Sequence, residues 1–289
     1  MHNVSADHSQ DQHRNKTVLV PTAATSITET SSTPTARCIL RRGKEESLLR
    51  FHPWIFSGAI YSMEGTPAEG DLVDVYTSQG DFIARGHYQI GSITIRVLSF
   101  ADETIDQSWW NERIELAFHM REALGLTNNP QTTCYRLVHG EGDSLPGLII
   151  DIYGTTAVVQ CHSVGMYRSR KAICTALRNV YRDRVKSIFD KSGGTLPYNA
   201  GLNAQDGYLW GEADASSEPV LENGNRFMVN WEQGQKTGFF IDQRENRELV
   251  RRYAKERTVL NTFCYTGGFS VYALAGGALQ VDSVDSSEL

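Results

Sequence analysis

The stretch LNTFCYTGGFS, Leu260 to Ser270, runs a short apolar strand into a pair of glycines and out into a helix start. A parallel-sheet strand that empties into such a turn builds a ligand site over its carboxyl end. Glycine serves there because the backbone must come close to the ligand and can take positive φ without penalty. Downstream, FSVYALAGGA reads as a helix closed by glycines, and LQVDSVDSS as a second strand ending in acid. Asp285 stands eighteen positions after Gly267, near the ~20-residue offset at which a carboxylate on the next strand tip accepts hydrogen bonds from ribose hydroxyls. The pattern points to a nucleoside-containing cofactor. YTGGF lacks the GxGxxG spacing of a pyrophosphate cradle, which disfavours NAD and FAD. A glycine pair followed by an acid suits S-adenosylmethionine, which carries no phosphate. An ordinary βαβ crossover whose glycines only permit close packing fits the same residues, and on the turn alone both readings stay open.

Working outward, Asp242 to Lys255 reads as a charged helix, and RFMVNWEQ and VKSIFDKS as strands. MYRSRKAICTALRNVYRD is amphipathic at helical spacing, with Ile173, Leu177 and Val180 on one side. YRLVHGEGDSLPGLIIDIYGTTAVVQCHS reads as strand, tight loop, strand, turn, strand. The segments between 134 and 232 make a central α+β unit. The segment 107–133 is a helix, QSWWNERIELAFHMREALGL, followed by the polar linker NNPQTT. From 37 to 106 the text is strand-like, with turns at Gly70-Asp71, Gln79-Gly80-Asp81 and Gly91-Ser92. Residues 1–36 hold twelve Ser or Thr and few large apolar side chains, too little apolar surface to offset ordering, so a disordered tail is expected. Its only clear cations are Arg14 and Lys16, which disfavours an organelle transit peptide.

The totals agree with a multidomain soluble chain: 289 residues, 40% hydrophobic and 21% charged. No apolar run approaches the ~20 residues of a membrane span; the strongest, GLIIDIYG, is broken by Asp151. A net charge of −6 argues against a wholly basic nucleic-acid binder but leaves local basic patches open. Five scattered cysteines, Cys38, Cys134, Cys161, Cys174 and Cys264, form no CxxC or Cys/His cluster. No metal site or disulfide framework is expected, and a reducing cytoplasmic compartment follows.

Four stretches together resemble one family. VLNTFCYTGGFSVYALAGGALQVDSVDSS resembles the cofactor segment of class I S-adenosylmethionine-dependent RNA methyltransferases. In particular it is similar to the large-subunit ribosomal RNA (cytosine-5) methyltransferase family with an N-terminal PUA domain. GQKTGFFIDQRENR (234–247) resembles the loop and helix before that segment, RLVHGEGDSLPGLIIDIYG (136–154) the start of the central domain, and LRRGKEESLLRFHPWIFSGAI (40–60) the opening of the PUA domain. The resemblance implies an α/β multidomain fold: a β-rich PUA-like domain, a central α+β domain, and from 233 to 289 the beginning of a Rossmann-like class I methyltransferase domain.

It also implies S-adenosyl-L-methionine as cofactor and ribosomal RNA as partner, with a homodimer left open and neither membrane nor metal involved. Tyr265, Gly267 and Gly268 would line the methionine and ribose, and Asp285 would hold the ribose. Lys236, Thr237, Gly238, Gln243 and Arg244 would shape the pocket from the preceding loop. In the PUA-like unit Arg37, Arg41, Arg42, Lys44 and Arg50 would meet RNA phosphates. At least two of Trp54, Ile55 and Phe56 are expected in its core. Arg247, Arg251 and Arg252 are expected on a solvated helix face, and Phe239 and Phe240 in the core. Cys264 has no neighbouring His or cation in sequence and is expected to pack rather than react. The family's cysteine nucleophile adds to cytosine carbon 6 on a base taken out of its stack, and it comes from a motif expected beyond residue 289. Only two strands of the catalytic sheet precede that point, so the expectation is a fragment without methyltransferase activity of its own. A non-catalytic RNA-binding protein or pseudogene product is the rival reading, and a methyltransferase of the same superfamily acting on guanine or another base a third.

Overall fold

The computed structural model describes residues 32–197, 202–213 and 219–286. The tail expected over 1–36 lies outside the described residues up to 31; by Thr35 the backbone is already bonded to Leu72, and Ala36 opens the first strand.

Six strands form the first sheet: β1 (Ala36–Leu40), β2 (Trp54–Phe56), β3 (Ile60–Glu64), β4 (Leu72–Tyr76), β5 (Phe82–Tyr88) and β6 (Ile93–Ser99). Their order is β2-β6-β5-β4-β1-β3, antiparallel except for the parallel pair β1 and β4. Cys38, Leu40, Ile55, Val73, Val75, Ala84, Ile95 and Val97 make its core, capped by Leu48 from the short helix α1 (Glu46–Leu49). Of the three residues Trp54, Ile55 and Phe56, only Ile55 is buried; Trp54 is half-buried and Phe56 exposed. Alternation on the edge strand β2 explains the correction, since the residues flanking Ile55 point to its other face.

The second sheet has order β11-β10-β9-β8-β7. Its strands are β7 (Cys134–His139), β8 (Leu148–Tyr153), β9 (Thr156–Cys161), β10 (Ser187–Asp190) and β11 (Gly207–Trp210). Between the parallel strands β9 and β10 runs α4 (Arg170–Tyr181). The helix α2 (Gln107–Ala123) starts where the Asp106 carboxylate accepts from the backbone N–H groups of Ser108 and Trp109. It packs on α4 and joins this core rather than serving as a connector: Trp109, Trp110, Ile114 and Phe118 meet Ile173, Leu177, Ile150 and Val159. The single helix expected over MYRSRKAICTALRNVYRD is two, α3 (Val164–Arg168) and α4, broken at Ser169.

Register divides the residues of this sheet between two faces. Ile150, Ile152, Ala157 and Val159 lie under the helices. Their neighbours Tyr153, Val158, Phe189 and Cys134 pack on the opposite face against Val220, Phe227, Trp231, Phe239 and Ile241. That covering layer includes the hairpin β12 (Val220–Glu222) and β13 (Asn225–Phe227), turned by Asn223-Gly224 with both φ angles positive (49° and 78°), as a two-residue hairpin demands. The strand expected through RFMVNWEQ stops at Phe227.

The C-terminal unit is α5 (Arg244–Tyr253), β14 (Thr258–Thr262), α6 (Gly268–Ala275) and β15 (Gln280–Val284), with β14 and β15 parallel from Thr258↔Gln280 to Thr262↔Val284. A Cβ on Gly276 would stand 2.2 Å from the Arg251 carbonyl oxygen, so this glycine allows α5 and α6 to approach closely.

The two larger sheets meet across an interface that holds His87. Its ring packs on Gly165, where a Cβ would fall 2.1 Å from the His87 Cγ, and neither ring nitrogen has a hydrogen-bond partner. Burial first, then the Arg168 and Arg96 guanidiniums, push this imidazole down to about 3. A base whose folded pKa is depressed stabilises the fold above its unfolded pKa and loses that stability as pH falls toward the folded value. Between pH 7 and pH 5 the wild-type chain should therefore lose about 2 kcal/mol that His87→Phe does not, read from urea unfolding at the two pH values.

Candidate functional site

The turn between β14 and α6 is built from left-handed residues: Phe263 (φ 59°), Tyr265 (φ 49°) and Gly267 (φ 74°). It is tied back to the neighbouring strand, with the Cys264 N–H on the Val284 carbonyl at 3.2 Å. The Tyr265 N–H donates to Asp285 Oδ2 at 2.7 Å. Asp285, directly after β15, thus lies against the glycine turn at the carboxyl ends of both strands. Asn261 donates to Ser270 Oγ at 2.8 Å, and Ser270 meets Ser283 Oγ at 2.6 Å, locking α6 to both strands behind the turn.

The two glycines differ. A Cβ on Gly267 would have nothing within 4 Å, so its outer side is open for backbone to meet a ligand. A Cβ on Gly268 would sit 3.2 Å from Arg247 Cδ, so that residue is closed from behind. Arg247 is not on a solvated face. It is buried and bidentate on Glu222 (2.7 Å twice), and it donates twice more to the Phe240 carbonyl at 3.1 Å. Its partner lies on a distant hairpin, which no helical charge pattern reveals. Arg251 and Arg252 do face outward, 41% and 67% exposed, with Glu248.

The loop 234–240 is held from two sides. On one, the Tyr265 hydroxyl accepts from the Gln235 N–H at 2.9 Å and donates to the Gly238 carbonyl at 3.3 Å. On the other, Thr237 is fully buried and donates to Asp151 Oδ2 at 2.6 Å, beside the Tyr153 hydroxyl at 2.9 Å. Asp151 is itself gripped by Arg136 at 2.8 and 3.0 Å. The Lys191 ammonium donates to the Trp231 and Gly234 carbonyls. Gly238 takes φ 120°, and its Cβ would be 2.9 Å from Val229. Lys236 is exposed with its Nζ 4.7 Å above the Phe240 ring, and Phe240 meets Tyr265 edge-on at 5.4 Å. Phe239 is core as expected; Phe240 is half-buried against Tyr265 instead.

The structure thus brings Tyr265, Gly267, Gly268 and Asp285 together and ties Lys236 and Gly238 to them through the loop. Thr237 faces the central sheet. Gln243 and Arg244 open α5 with local partners, Asp242 and Asn246 for the first and Glu245 for the second. Far from this turn, Arg41, Arg42, Lys44 and Arg50 are exposed, and Arg37 lies over the Tyr76 ring at 4.1 Å with Glu64 3.6 Å away.

Burial pushes the Cys38, Cys134 and Cys161 thiols up to about 12, which leaves them protonated and inert. Cys264 is half-buried with its thiol toward the Tyr265 carbonyl at 3.9 Å. Among the described residues no group of three or more His, Cys, Asp or Glu is placed to hold a metal, and no helix is long and apolar enough to cross a membrane.

Comparison with known proteins adds to this geometry. Residues 38–100 match the PUA-like domain family, and residues 202–288 match the S-adenosylmethionine-dependent methyltransferase family. A ribosomal RNA large subunit methyltransferase I of Erwinia tasmaniensis is 42% identical over 256 residues, 88% of this chain and 64% of that protein. The protein of the same name from Escherichia coli strain K12 is 40% identical over 254 residues, 87% of this chain and 63% of its own. The chain therefore spans somewhat under two thirds of the length of these relatives. Among solved structures, a Streptococcus mutans chain described as a SAM-dependent methyltransferase aligns with TM-score 0.73 at 26% identity, over 87% of this chain and 64% of its own. A second, a methyltransferase complexed with SAH, aligns with TM-score 0.74 at 26% identity, over 87% and 63%. The chain carries a PUA-like β-rich domain and methyltransferase architecture with mixed α/β sheets, and S-adenosylmethionine is the cofactor of the methyltransferase family it matches.

The Arg247–Glu222 pair should be costly to break. Arg247→Met leaves a buried carboxylate uncompensated and should lower unfolding free energy by about 3–5 kcal/mol, whereas Glu222→Leu with Arg247→Met should recover most of it in urea titrations.

Proposed function

We propose that the chain serves an S-adenosylmethionine-dependent methyltransferase acting on large-subunit ribosomal RNA in the cytoplasm, with cytosine carbon 5 as the methylated atom. The observation that carries the reading is the Tyr265 N–H on the Asp285 carboxylate, which joins the glycine turn to the tip of the next parallel strand. Such a mouth lies where open α/β sheets bind nucleoside ligands. The names of the 40–42% identical relatives support ribosomal RNA as substrate. The neighbour complexed with SAH supports the cofactor class.

In this reading Asp285 accepts from the ribose hydroxyls, and the backbone at Tyr265, Gly267 and Gly268 passes beside the methionine and ribose. The bound cofactor supplies a methyl group activated on a sulfonium. Lys236 and Gly238 form the adjoining wall, with Gln243 and Arg244 behind it at the head of α5. Thr237 acts at one remove, fixing that wall through Asp151. Arg37, Arg41, Arg42, Lys44 and Arg50 contact RNA phosphates from the PUA-like sheet. The carbon-5 chemistry needs a thiolate that adds to the ring, a role the buried Cys38, Cys134 and Cys161 do not fill.

Calorimetric titration with SAH tests the cofactor site. Asp285→Ala should weaken binding by about tenfold to a hundredfold, the worth of a hydrogen bond to a charged group; equal affinity in both proteins would remove the reading. The RNA face has its own measurement. Replacing Arg42 and Lys44 together by Ala should flatten the plot of log affinity against log salt by about 1.5, on a single-stranded fragment.

A further inference from the structure

The covered face of the central sheet does not stay covered along its length. At one end Tyr153 stacks on Trp231 with ring centroids 6.3 Å apart. Two residues further along, the row Arg136, Asp151, Val158 and Phe189 sets an ion pair that meets Thr237 beside apolar side chains of the covered core. At the next cross-strand row the covering layer ends. His139 on β7 pairs with Ile149 on β8, and Ile149 pairs with Gln160 on β9. This row floors a cleft of about 920 Å³, which also reaches Arg96 of β6 and Lys236 of the 234–240 loop.

Gln160 stands out within that row. It is only 6% exposed, it lines the cleft, and no hydrogen bond of its carboxamide is found among the described residues. Its carboxamide opens onto the cleft rather than into the packed core, so it is free to pair with whatever enters. It offers both donors and an acceptor, the combination that reads the edge of a nucleobase. The cleft carries both signs of charge, Arg96, Arg136, Lys191 and Lys236 with Glu141, Asp206 and Asp242. Each of these acids accepts from a neutral donor: Glu141 from the Trp54 indole N–H at 2.9 Å, Asp206 from the Gly193 N–H at 2.7 Å, and Asp242 from the Gln243 amide at 3.1 Å. Of the cations, Lys236 is exposed, and Arg96 donates to the neutral Gln89 side chain at 2.8 Å and also feels the Glu141 carboxylate. The cleft also adjoins the cofactor turn, because the loop that forms its wall is bonded on its far side to Tyr265.

We propose that this cleft binds one unpaired RNA nucleotide, with the Gln160 carboxamide reading the edge of its base and Arg96 and Lys236 facing its phosphates. The assignment rests on the RNA-methyltransferase reading above. The base is unpaired because only a single-stranded segment exposes its edge to a side chain in a cleft.

Fluorescence anisotropy of the full chain with short labelled oligomers of A, C and U, at one fixed salt concentration, tests it. The wild-type chain should prefer one base by about tenfold, and Gln160→Leu should erase that preference without changing its melting temperature. Gln160→Asn, which keeps the amide but shortens its reach, should erase it too and stands in should the leucine variant fold poorly. Arg96→Ala should weaken all three oligomers alike. Wild-type binding without base preference, or a preference that survives both Gln160 variants, overturns the cleft assignment and leaves the RNA reading standing. No binding of any oligomer overturns the RNA reading and the cleft with it, while SAH titration reports separately on the cofactor.

Discussion

Everything near the glycine turn is hung on one ion pair out of reach of water. Arg247 and Glu222 hold each other through two hydrogen bonds, and each then holds something else. The guanidinium donates to the Phe240 carbonyl at the end of the loop and backs Gly268, while the Glu222 backbone oxygen accepts from Tyr272 of α6 at 3.1 Å. A hairpin, a loop and two helices therefore converge on a single pair of charges. Isolated charges do not persist in such surroundings, so this convergence is all or nothing: the four elements dock together or the pair does not form.

The central sheet shows a second constraint, written along one face. Apolar side chains hold the covering layer down, the polar triad of Asp151, Arg136 and Thr237 beside them fixes its angle, and uncovered polar side chains follow. A face apolar throughout would have been sealed by the layer. One polar throughout would have had nothing to hold it. The gradient from one to the other places an opening beside a rigid wall.

How much of this could be read from residues alone varied with the range of the interactions. The strand–turn–helix–strand of 258–284 was legible because its signals are local: a short apolar run, two glycines and an acid at a set distance. The β-rich opening was legible for the same reason, from alternation and turn residues. Arg247 was not, since a charged helix of Arg and Glu looks solvated until a partner from another hairpin is known. Asp151 read only as an interruption in GLIIDIYG, yet it is the fixed point of the loop. At least two of Trp54, Ile55 and Phe56 were expected inside, but an edge strand with one covered face buries only every second residue, here Ile55. Asn223-Gly224 is a hairpin signal that was present in the sequence and passed over, because the strands on each side are only three residues long.

The loop from Gly234 to Phe240 is stitched on both flanks, by Lys191 and Thr237 on one and by Tyr265 on the other. A segment restrained in this way gives up its conformational freedom when the chain folds, so a molecule docking later need not freeze it. It also cannot yield on one side alone. Pressure against its outer surface is passed to the tyrosine behind it, so the cleft and the turn share a single stiff partition.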